Sequence, residues 1–360
     1  MRERIPAPHL PRKGRGAVTN PSGRFERFAL EPVDEDVPDK PLPRLETTVI
    51  PERTKTIIAR NDSPDVGFDR SINPYKGCEH GCIYCFARPT HSYLGLSPGL
   101  DFETKIFSKP DAARLLRLEL AKPGYRVATL VLGANTDPYQ PVERELRISR
   151  SVLEVLAEHR HPVSIITKSS LVTRDLDILK AMAADNLASV NVSLTTLNPA
   201  LARTMEPRAA APEKRLEAMR TLDGAGVPVG VLASPMIPAL NDSELERILD
   251  ASAQAGARWA NYILVRLPHE LKQLFDEWLR AHYPQRADHV LSLLTEMRGG
   301  KLYDSRFGLR MRGRGPYADL LEKRFEVACR RLGLDQTTHR ALDATKFRKP
   351  VAAGGHGRLF

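Results

Sequence analysis

Apolar residues follow two alternating patterns between about residue 66 and residue 267. Short runs rich in β-branched residues predict strands, and because these runs are continuous, they are typical of parallel strands covered on both faces. The stretches between them carry apolar residues at helical spacing. The predicted strands are Arg70–Tyr75, Arg126–Leu132, Val163–Thr167, Ala188–Thr195, Pro228–Ala233 and Trp259–Val265.

Amphipathic helices fit between these strands, with ordinary start and stop residues. The predicted helices are Asp111–Ala121, Glu145–His159, one capped by Thr173, Glu213–Leu222 and Asn241–Ala255. A repeated strand–helix order implies right-handed crossovers and a parallel sheet. Six units are fewer than the eight of a closed barrel. We therefore predict an α/β fold built on a partial, TIM-like (β/α)6 barrel.

The chain divides into three predicted parts. Residues 1–64 are rich in proline and show no regular period, which predicts a largely irregular N-terminal arm. Residues 65–297 form the predicted barrel. Residues 298–360 form a helical, basic extension with a flexible tail, and residues 298–350 hold 14 Lys+Arg against 6 Asp+Glu. A basic surface of this kind fits a polyanionic partner such as nucleic acid, or simply a solubilising charged surface.

Composition excludes several classes of protein. Of the 360 residues, 42% are hydrophobic and the formal net charge is +10, so the chain can bury a core and is not disordered throughout. No run approaches the ~18 apolar residues of a membrane helix. The N-terminus lacks the apolar segment of a secretory signal. We expect a cytoplasmic protein without a membrane partner.

Three of the four cysteines lie within eight residues, in the spacing C-x3-C-x2-C. Cys78, Cys82 and Cys85 can supply three thiolates to a [4Fe–4S] cluster and leave the fourth iron open, whereas common ferredoxin clusters use four. Gly77 and Gly81 allow the loop to wrap tightly. The alternative is a zinc site in which His80 or His91 is the fourth ligand.

The segments NPYKGCEHGCIYCFARPTH and LGANTDPYQPVE resemble the radical S-adenosylmethionine (SAM) superfamily, in the branch related to spore photoproduct lyase. The resemblance covers roughly residues 65–300. It implies a [4Fe–4S] cluster that binds SAM and cleaves it reductively to a 5′-deoxyadenosyl radical, which abstracts hydrogen from a substrate. It also implies an electron donor such as flavodoxin or ferredoxin.

The resemblance implies which residues hold SAM. Asn135, Thr136 and Asp137 stand where family members commonly place a GGE-like motif for the methionine amino group, although these residue types are also typical of turns. Lys168, at the end of a predicted strand, is a candidate partner for the SAM carboxylate. Its alternative is a solvated lysine.

Other candidates carry weaker signals. Ser193 resembles the family's ribose-contacting position, and Tyr84 is expected to cover the adenine region. Ser234 lies where the family often contacts adenine. Arg208 can bind a carboxylate or phosphate, but a loop salt bridge is the preferred interpretation. Cys329 is a candidate hydrogen donor, but a packed core cysteine is preferred.

Two functions follow from different classes. The leading hypothesis is a radical SAM enzyme with an unidentified substrate, for which nucleic acid is a candidate. The alternative is a non-catalytic, metal-stabilised protein that binds nucleic acid through its basic extension. No residue is assigned to the catalytic step itself.

Overall fold

The strands of the computed structural model, which describes residues 11–26, 45–334 and 341–350, form two sheets. The larger sheet has the strand order β10-β9-β8-β7-β6-β3-β2, and the smaller has the order β1-β5-β4. The strands are β1 Thr48–Pro51, β2 Ile58–Arg60, β3 Arg70–Ile72, β4 Tyr75–Lys76, β5 Lys105–Ser108, β6 Leu130–Leu132, β7 Val163–Thr167, β8 Ala188–Ser193, β9 Val229–Met236 and β10 Ala260–Leu264.

Helices cover the larger sheet and continue beyond it toward the C-terminus. They are α1 Leu100–Thr104, α2 Ala112–Ala121, α3 Glu143–Leu146, α4 Ile148–Glu158, α5 Leu176–Ala184, α6 Pro199–Met205, α7 Pro212–Gly224, α8 Leu245–Gln254, α9 Leu271–His282, α10 Pro284–Met297, α11 Leu309–Arg312 and α12 Pro316–Leu332. Short 3-10 helices span Arg88–Leu94, Ser170–Asp175, Asp242–Glu244 and Ala344–Lys346.

Six strands of the larger sheet, β3 and β6 to β10, pair in parallel, and β2 adds an antiparallel edge. Their side chains are buried or half-buried because helices cover one face and the interior of the curved sheet covers the other. One core cluster runs through all six strands and includes Leu132, Ile165 and Val190. The predicted α/β fold with a partial barrel is confirmed. No helix in the described part of the chain combines the length and apolar character needed to cross a membrane.

Several predicted boundaries are wrong. The predicted strand Arg70–Tyr75 is split, because Pro74 cannot donate to the ladder; β3 ends at Ile72 and β4 joins the small sheet. The predicted strand Arg126–Leu132 is reduced to β6. The predicted helix Glu145–His159 is two helices, since Arg147 takes a left-handed conformation (φ 50°) between α3 and α4.

The predicted cap Thr173 is also wrong. It lies inside the 3-10 helix, and the Ser169 side chain caps that helix by accepting a hydrogen bond from the Leu171 amide at 3.2 Å. The N-terminal arm contains two strands, β1 and β2, that its sequence did not predict. Both form by pairing with strands of the body, which no local pattern encodes.

Contacts tie the C-terminal extension to the opposite edge of the barrel. Asp65, in the loop between β2 and β3, accepts a hydrogen bond from the Gly308 amide at 2.6 Å and forms a salt bridge with Arg310. Arg310 also donates to the Ser63 hydroxyl at 2.5 Å. We call this set of contacts the Asp65 clasp. The clasp joins the β2 side of the sheet to the segment that follows β10, so the open flank of the partial barrel is bridged.

Candidate active site

A cavity of about 240 Å³ lies at the carboxyl ends of the parallel strands. Parallel β/α folds place their ligands at this end because the loops that follow the strands converge there. Most lining residues come from the loop after β4 and from the carboxyl ends of β6 to β10. The others are Val66 and Phe68, which precede β3, and Met311 in α11.

The three clustered cysteines converge on this cavity. Cys78 and Cys82 are buried, Cys85 is half-buried, and all three line the wall formed by residues 77–86, which we call the cysteine loop. Gly77 and Gly81 adopt positive φ values of 77° and 67°. A β-carbon on Gly81 would lie 2.7 Å from Glu103 Oε2. The two glycines therefore permit the tight turn that the sequence predicts.

A buried ion pair, which sequence reasoning missed, supports the cysteine loop. Arg88 and Glu103 are both fully buried, with Nη2 2.5 Å from Oε1. Arg88 also donates to four carbonyls, two of which, Gly81 and Cys82, belong to the loop. The available signal was an arginine that follows Cys85 by three residues and precedes a proline, because a guanidinium can donate to several carbonyls of a tight loop at once.

The N-terminal arm closes over the same loop. The amides of Gly16 and Ala17 donate to the Glu103 carboxylate at 3.0 and 2.8 Å. The Cα of Gly16 packs so tightly that a β-carbon there would lie 1.8 Å from the Gly81 carbonyl oxygen. Residues of the arm are therefore part of the wall behind the cysteines.

The second motif, LGANTDPYQPVE, braces the cysteine loop from the other side. The Gln140 side chain accepts a hydrogen bond from the Glu79 amide at 2.8 Å and donates to the Gly77 carbonyl at 3.2 Å. The Val142 amide donates to the Glu79 carboxylate at 2.8 Å. The two segments that carry the family resemblance thus form one hydrogen-bonded unit.

Asp137 is fully engaged at the base of the cavity. Its carboxylate accepts hydrogen bonds from the Thr167 hydroxyl and the Lys168 amide, both at 2.7 Å, and from the Tyr139 amide. His80 Nδ1 lies 3.3 Å from Asp137 Oδ2. Burial favours the neutral acid, but the adjacent His80 and the donors outweigh it and lower the pKa of Asp137 to about 2.

The three residues predicted to hold the methionine amino group lie in different surroundings. The Thr136 hydroxyl donates to the Tyr75 carbonyl at 2.8 Å and is not among the cavity-lining residues. Asn135 and Asp137 line the cavity. The Asn135 backbone amide donates to the Asn73 side-chain oxygen at 2.9 Å, and this bond helps to fix the turn.

Lys168 and Tyr84 also line the cavity. The Lys168 ammonium lies 5.7 Å from the centre of the Tyr84 ring and forms no salt bridge or side-chain hydrogen bond with the described residues. The Tyr84 hydroxyl donates to Glu206, which also forms a salt bridge with Arg215. These contacts fix the ring and leave the ammonium available to an anion.

Two further predicted residues meet on neighbouring strands. Ser193, on β8, donates to the Ser234 carbonyl of β9 at 3.1 Å. The Ser234 hydroxyl is buried in the cavity wall and has no hydrogen-bond partner among the residues that the structure describes. A buried polar atom without a partner indicates a site that a polar ligand completes.

Two of the weaker candidates lie elsewhere. Arg208 forms a salt bridge with Glu79 at 3.0 Å behind the cysteine loop. Cys329, on α12, is buried in the main core beside Leu321 and Phe325. Neither is among the residues that line the cavity.

The cysteine geometry bears on the identity of the metal group. Among the described residues, no group of three or more His, Cys, Asp or Glu side chains is arranged to hold a single metal ion. Of the two histidines considered as a fourth zinc ligand, His91 is not among the residues that line the cavity, and its Nε2 donates to the Lys105 carbonyl at 3.1 Å. His80 does line the cavity, with its Nδ1 3.3 Å from Asp137 Oδ2. A cubane spaces its ligand sulfurs more widely than one zinc ion does, because each ligand binds a different iron. Three cysteines on one cavity wall therefore fit a cluster better.

Burial sets the protonation of these thiols in the absence of a metal. It raises the pKa of Cys78 and of Cys82, and the carboxylates of Asp137 and Glu206 respectively add to the effect. Metal ligation requires thiolates, so binding must release protons from these cysteines.

Arg266 is a cavity residue that the sequence analysis did not assign. It follows β10, and its guanidinium carbon lies 4.3 Å from the centre of the Phe86 ring. Phe86 also lines the cavity and is 42% exposed. Ligands of this fold bind at the carboxyl ends of the strands. Arg266 comes one residue after the predicted strand Trp259–Val265, so this rule would have identified it.

Comparison with known protein families gives a match over most of the larger sheet and the cysteine loop. Residues 72–251 match the family model described as Radical SAM superfamily. An uncharacterized protein of Mycobacterium tuberculosis is 38% identical over 220 residues, which are 61% of this chain and 65% of the relative. An uncharacterized protein of Methanocaldococcus jannaschii is 31% identical over 175 residues, or 48% of this chain and 62% of that protein. The chain thus spans less than two thirds of the length of either relative.

Solved structures show the same fold. Spore photoproduct lyase complexed with dinucleoside spore photoproduct superposes with a TM-score of 0.56 at 18% sequence identity, over 79% of this chain and 78% of that chain. A cysteine-to-serine mutant of spore photoproduct lyase gives a TM-score of 0.55 at 19% identity over the same shares. At these identities the likeness establishes the fold alone.

Proposed function

We propose that this chain, which belongs to the radical SAM superfamily, holds a [4Fe–4S] cluster through Cys78, Cys82 and Cys85 and cleaves SAM reductively to a 5′-deoxyadenosyl radical. Family membership makes it an enzyme that uses SAM and an iron–sulfur cluster. The observation that carries the finer assignment is the convergence on a single cavity of three cysteines, an ammonium and a buried hydroxyl, the last two without partners in the described part of the chain. The basic extension fits the non-catalytic alternative equally well, and family membership is what argues against that alternative.

The cluster, when bound, supplies the electron that breaks the S–C5′ bond of SAM. The residues of this chain bind, orient and shield. Lys168 pairs with the SAM carboxylate, because its ammonium has no anionic partner among the described residues and lines the same cavity as Cys82. The Asn135 side chain is the best acceptor for the SAM amino group, since the Asp137 oxygens already accept three hydrogen bonds and Thr136 is bonded elsewhere.

Ser193 and Ser234 face the same part of the cavity from adjacent strands and are suited to bind the ribose hydroxyls, with Tyr84 beside the adenine region. Apolar side chains such as Leu232, Ile263 and Met311 complete the wall. They exclude water from the site, which protects a primary carbon radical from unwanted partners.

Nucleic acid is the substrate class we favour, and a carrier such as flavodoxin or ferredoxin is the proposed electron donor. Support for the substrate comes from the excess of Lys and Arg in residues 298–350 and from α11 of that region reaching the cavity through Met311. Spore photoproduct lyase, which shares the fold, is found complexed with a dinucleoside photoproduct.

The decisive experiment uses the full chain reconstituted with iron and sulfide without oxygen. Incubation with SAM and dithionite is expected to give 5′-deoxyadenosine, and C78A, C82A and C85A are each expected to abolish it. The matched control is C329A, which removes a thiol from the core and not from the cavity, and is expected to retain the product. Undiminished cleavage in the three loop variants contradicts the assignment. Addition of intact and ultraviolet-damaged oligonucleotides then tests the substrate class.

A further inference from the structure

Two cationic side chains line the cavity without an anionic partner among the described residues. Lys168 follows β7 and Arg266 follows β10, three strands away in the sheet order. Neither side chain forms a salt bridge or hydrogen bond with a described residue, whereas Arg208 and Arg310 beside the site are both paired. One of these two cations is enough to pair with the SAM carboxylate, so the other is available to bind a second anion.

The acidic groups around Arg266 are already used. Asp65 is held by Arg310 and by the Gly308 amide. Asp304 is paired with Arg306 at 2.6 Å. A further buried cation, Arg298, donates to the carbonyls of Val265 and Leu309 and has no carboxylate partner among the described residues. No described carboxylate therefore forms an ion pair with Arg266; Asp65, the carboxylate whose charge acts on it, is already bound by Arg310.

Arg266 is also held in a way that suits recognition. Its guanidinium lies against the Phe86 ring, which restricts the side chain and leaves the planar fork of donors free to bind an oxyanion in a bidentate way. A partly buried cation without a counterion is costly, and a bound anion removes that cost. Phe86 is half-exposed, so the Phe86–Arg266 pair lies where the cavity wall is open to solvent.

We propose that Arg266 binds an oxyanion of the substrate, a phosphate or a carboxylate, at the mouth of the cavity, and that Lys168 serves SAM. This inference rests on the proposed function and assigns the substrate's anionic group to a named residue. Phosphate monoester, phosphodiester and carboxylate share the chemistry that a guanidinium fork recognises, and the test separates them.

The test measures binding of small probes to the iron-loaded full chain at saturating SAM and constant ionic strength. The probes are inorganic phosphate, dimethyl phosphate and acetate. Isothermal titration calorimetry measures the affinity for each probe. At least one probe is expected to bind, with the affinity reduced tenfold or more in R266M, which corresponds to about 1.4 kcal/mol. R266K is expected to lose less, because it keeps the charge but not the fork. The tightest probe identifies the class of anion.

The matched control is R258M. Arg258 precedes the same strand at its opposite end and forms a surface salt bridge with Asp223 at 2.9 Å, so the variant removes one charge far from the cavity. It is expected to bind every probe as the unmodified protein does. Equal probe binding by R266M and the unmodified protein overturns the inference, as does the absence of binding by all three probes.

A second measurement keeps cofactor and substrate apart. Equilibrium dialysis with labelled SAM is expected to show unchanged affinity in R266M and a loss of tenfold or more in K168M. A loss in R266M instead would assign Arg266 to the SAM carboxylate and overturn the inference. Failure of the proposed function is a separate result, because it appears as absence of 5′-deoxyadenosine from the unmodified protein while probe binding is still measurable.

Discussion

Removal of the Arg88 side chain is expected to destabilise the protein more than removal of any exposed arginine. The R88M substitution keeps much of the apolar stem and deletes the guanidinium. Four carbonyl oxygens, those of Gly81, Cys82, Pro98 and Gly99, then lose a donor. The Glu103 carboxylate is left fully buried with only two backbone amides.

The expected magnitude follows from this count of lost partners. Breaking a buried ion pair on one side costs about 3–5 kcal/mol, because an uncompensated charge remains in a low-dielectric interior. A domain of ordinary stability has about 5–15 kcal/mol in total. R88M is therefore expected to remove a large part of the free energy of unfolding. The contacts that it deletes lie around the cysteine loop.

The double variant R88M/E103Q isolates the electrostatic part. Glutamine keeps the shape of Glu103 and removes the stranded charge, but its NH2 group cannot accept from one of the two arm amides. An unpaired amide costs less than an uncompensated buried charge, so the double variant is expected to be more stable than R88M alone. Guanidinium chloride unfolding of metal-free protein under reducing conditions, followed by circular dichroism, measures the differences. R220M, which removes an exposed arginine of α7, is the control and is expected to change the free energy of unfolding by less than ~0.5 kcal/mol. A loss below ~1 kcal/mol in R88M, or a double variant less stable than R88M, refutes the reasoning.

Two other predictions concern His161, just before β7, and the N-terminal arm. Burial lowers the pKa of His161 to about 4 from an ordinary value near 6.5, so the unfolded chain takes up the proton first and stability falls as pH decreases from about 6.5 through 4. H161Q should reduce that fall by up to about 3 kcal/mol in pH-dependent unfolding, and identical pH profiles would contradict the assignment. G16A should displace the arm from the Gly81 carbonyl and speed loss of iron in air, measured by absorbance, whereas G67A, with open space around its α-carbon, should not.

The sequence was informative where the signal is local and repeated. Continuous apolar runs predicted β7 with its bounds and β8 to β10 within a few residues, because each strand is buried on both faces and needs no distant partner to be recognised. β1 and β2 were missed for the opposite reason. Their residues are largely exposed, and only their pairing partners make them strands.

The site shows the same division. The cysteine spacing and the strand-end rule led to Cys78, Lys168 and Ser193, all of which line the cavity. Their assignment as ligands remains a prediction. The sequence did not show that Arg88, Glu103 and Gly16 form one support, because these residues are separated by up to 87 positions and meet only in the fold. Long-range buried polar networks leave no periodic trace in a sequence.

The Asp65 clasp has a practical consequence for anyone who shortens this protein. The predicted limit of the barrel after residue 297 is an attractive place to end the chain. A protein cut there would lose both Gly308 and Arg310, and with them the bridge across the open flank. It would also lose Met311 from the lining of the cavity. Such a fragment could keep its sheet and its three thiols and still fail to retain SAM, so inactivity of a trimmed enzyme would say nothing about its chemistry.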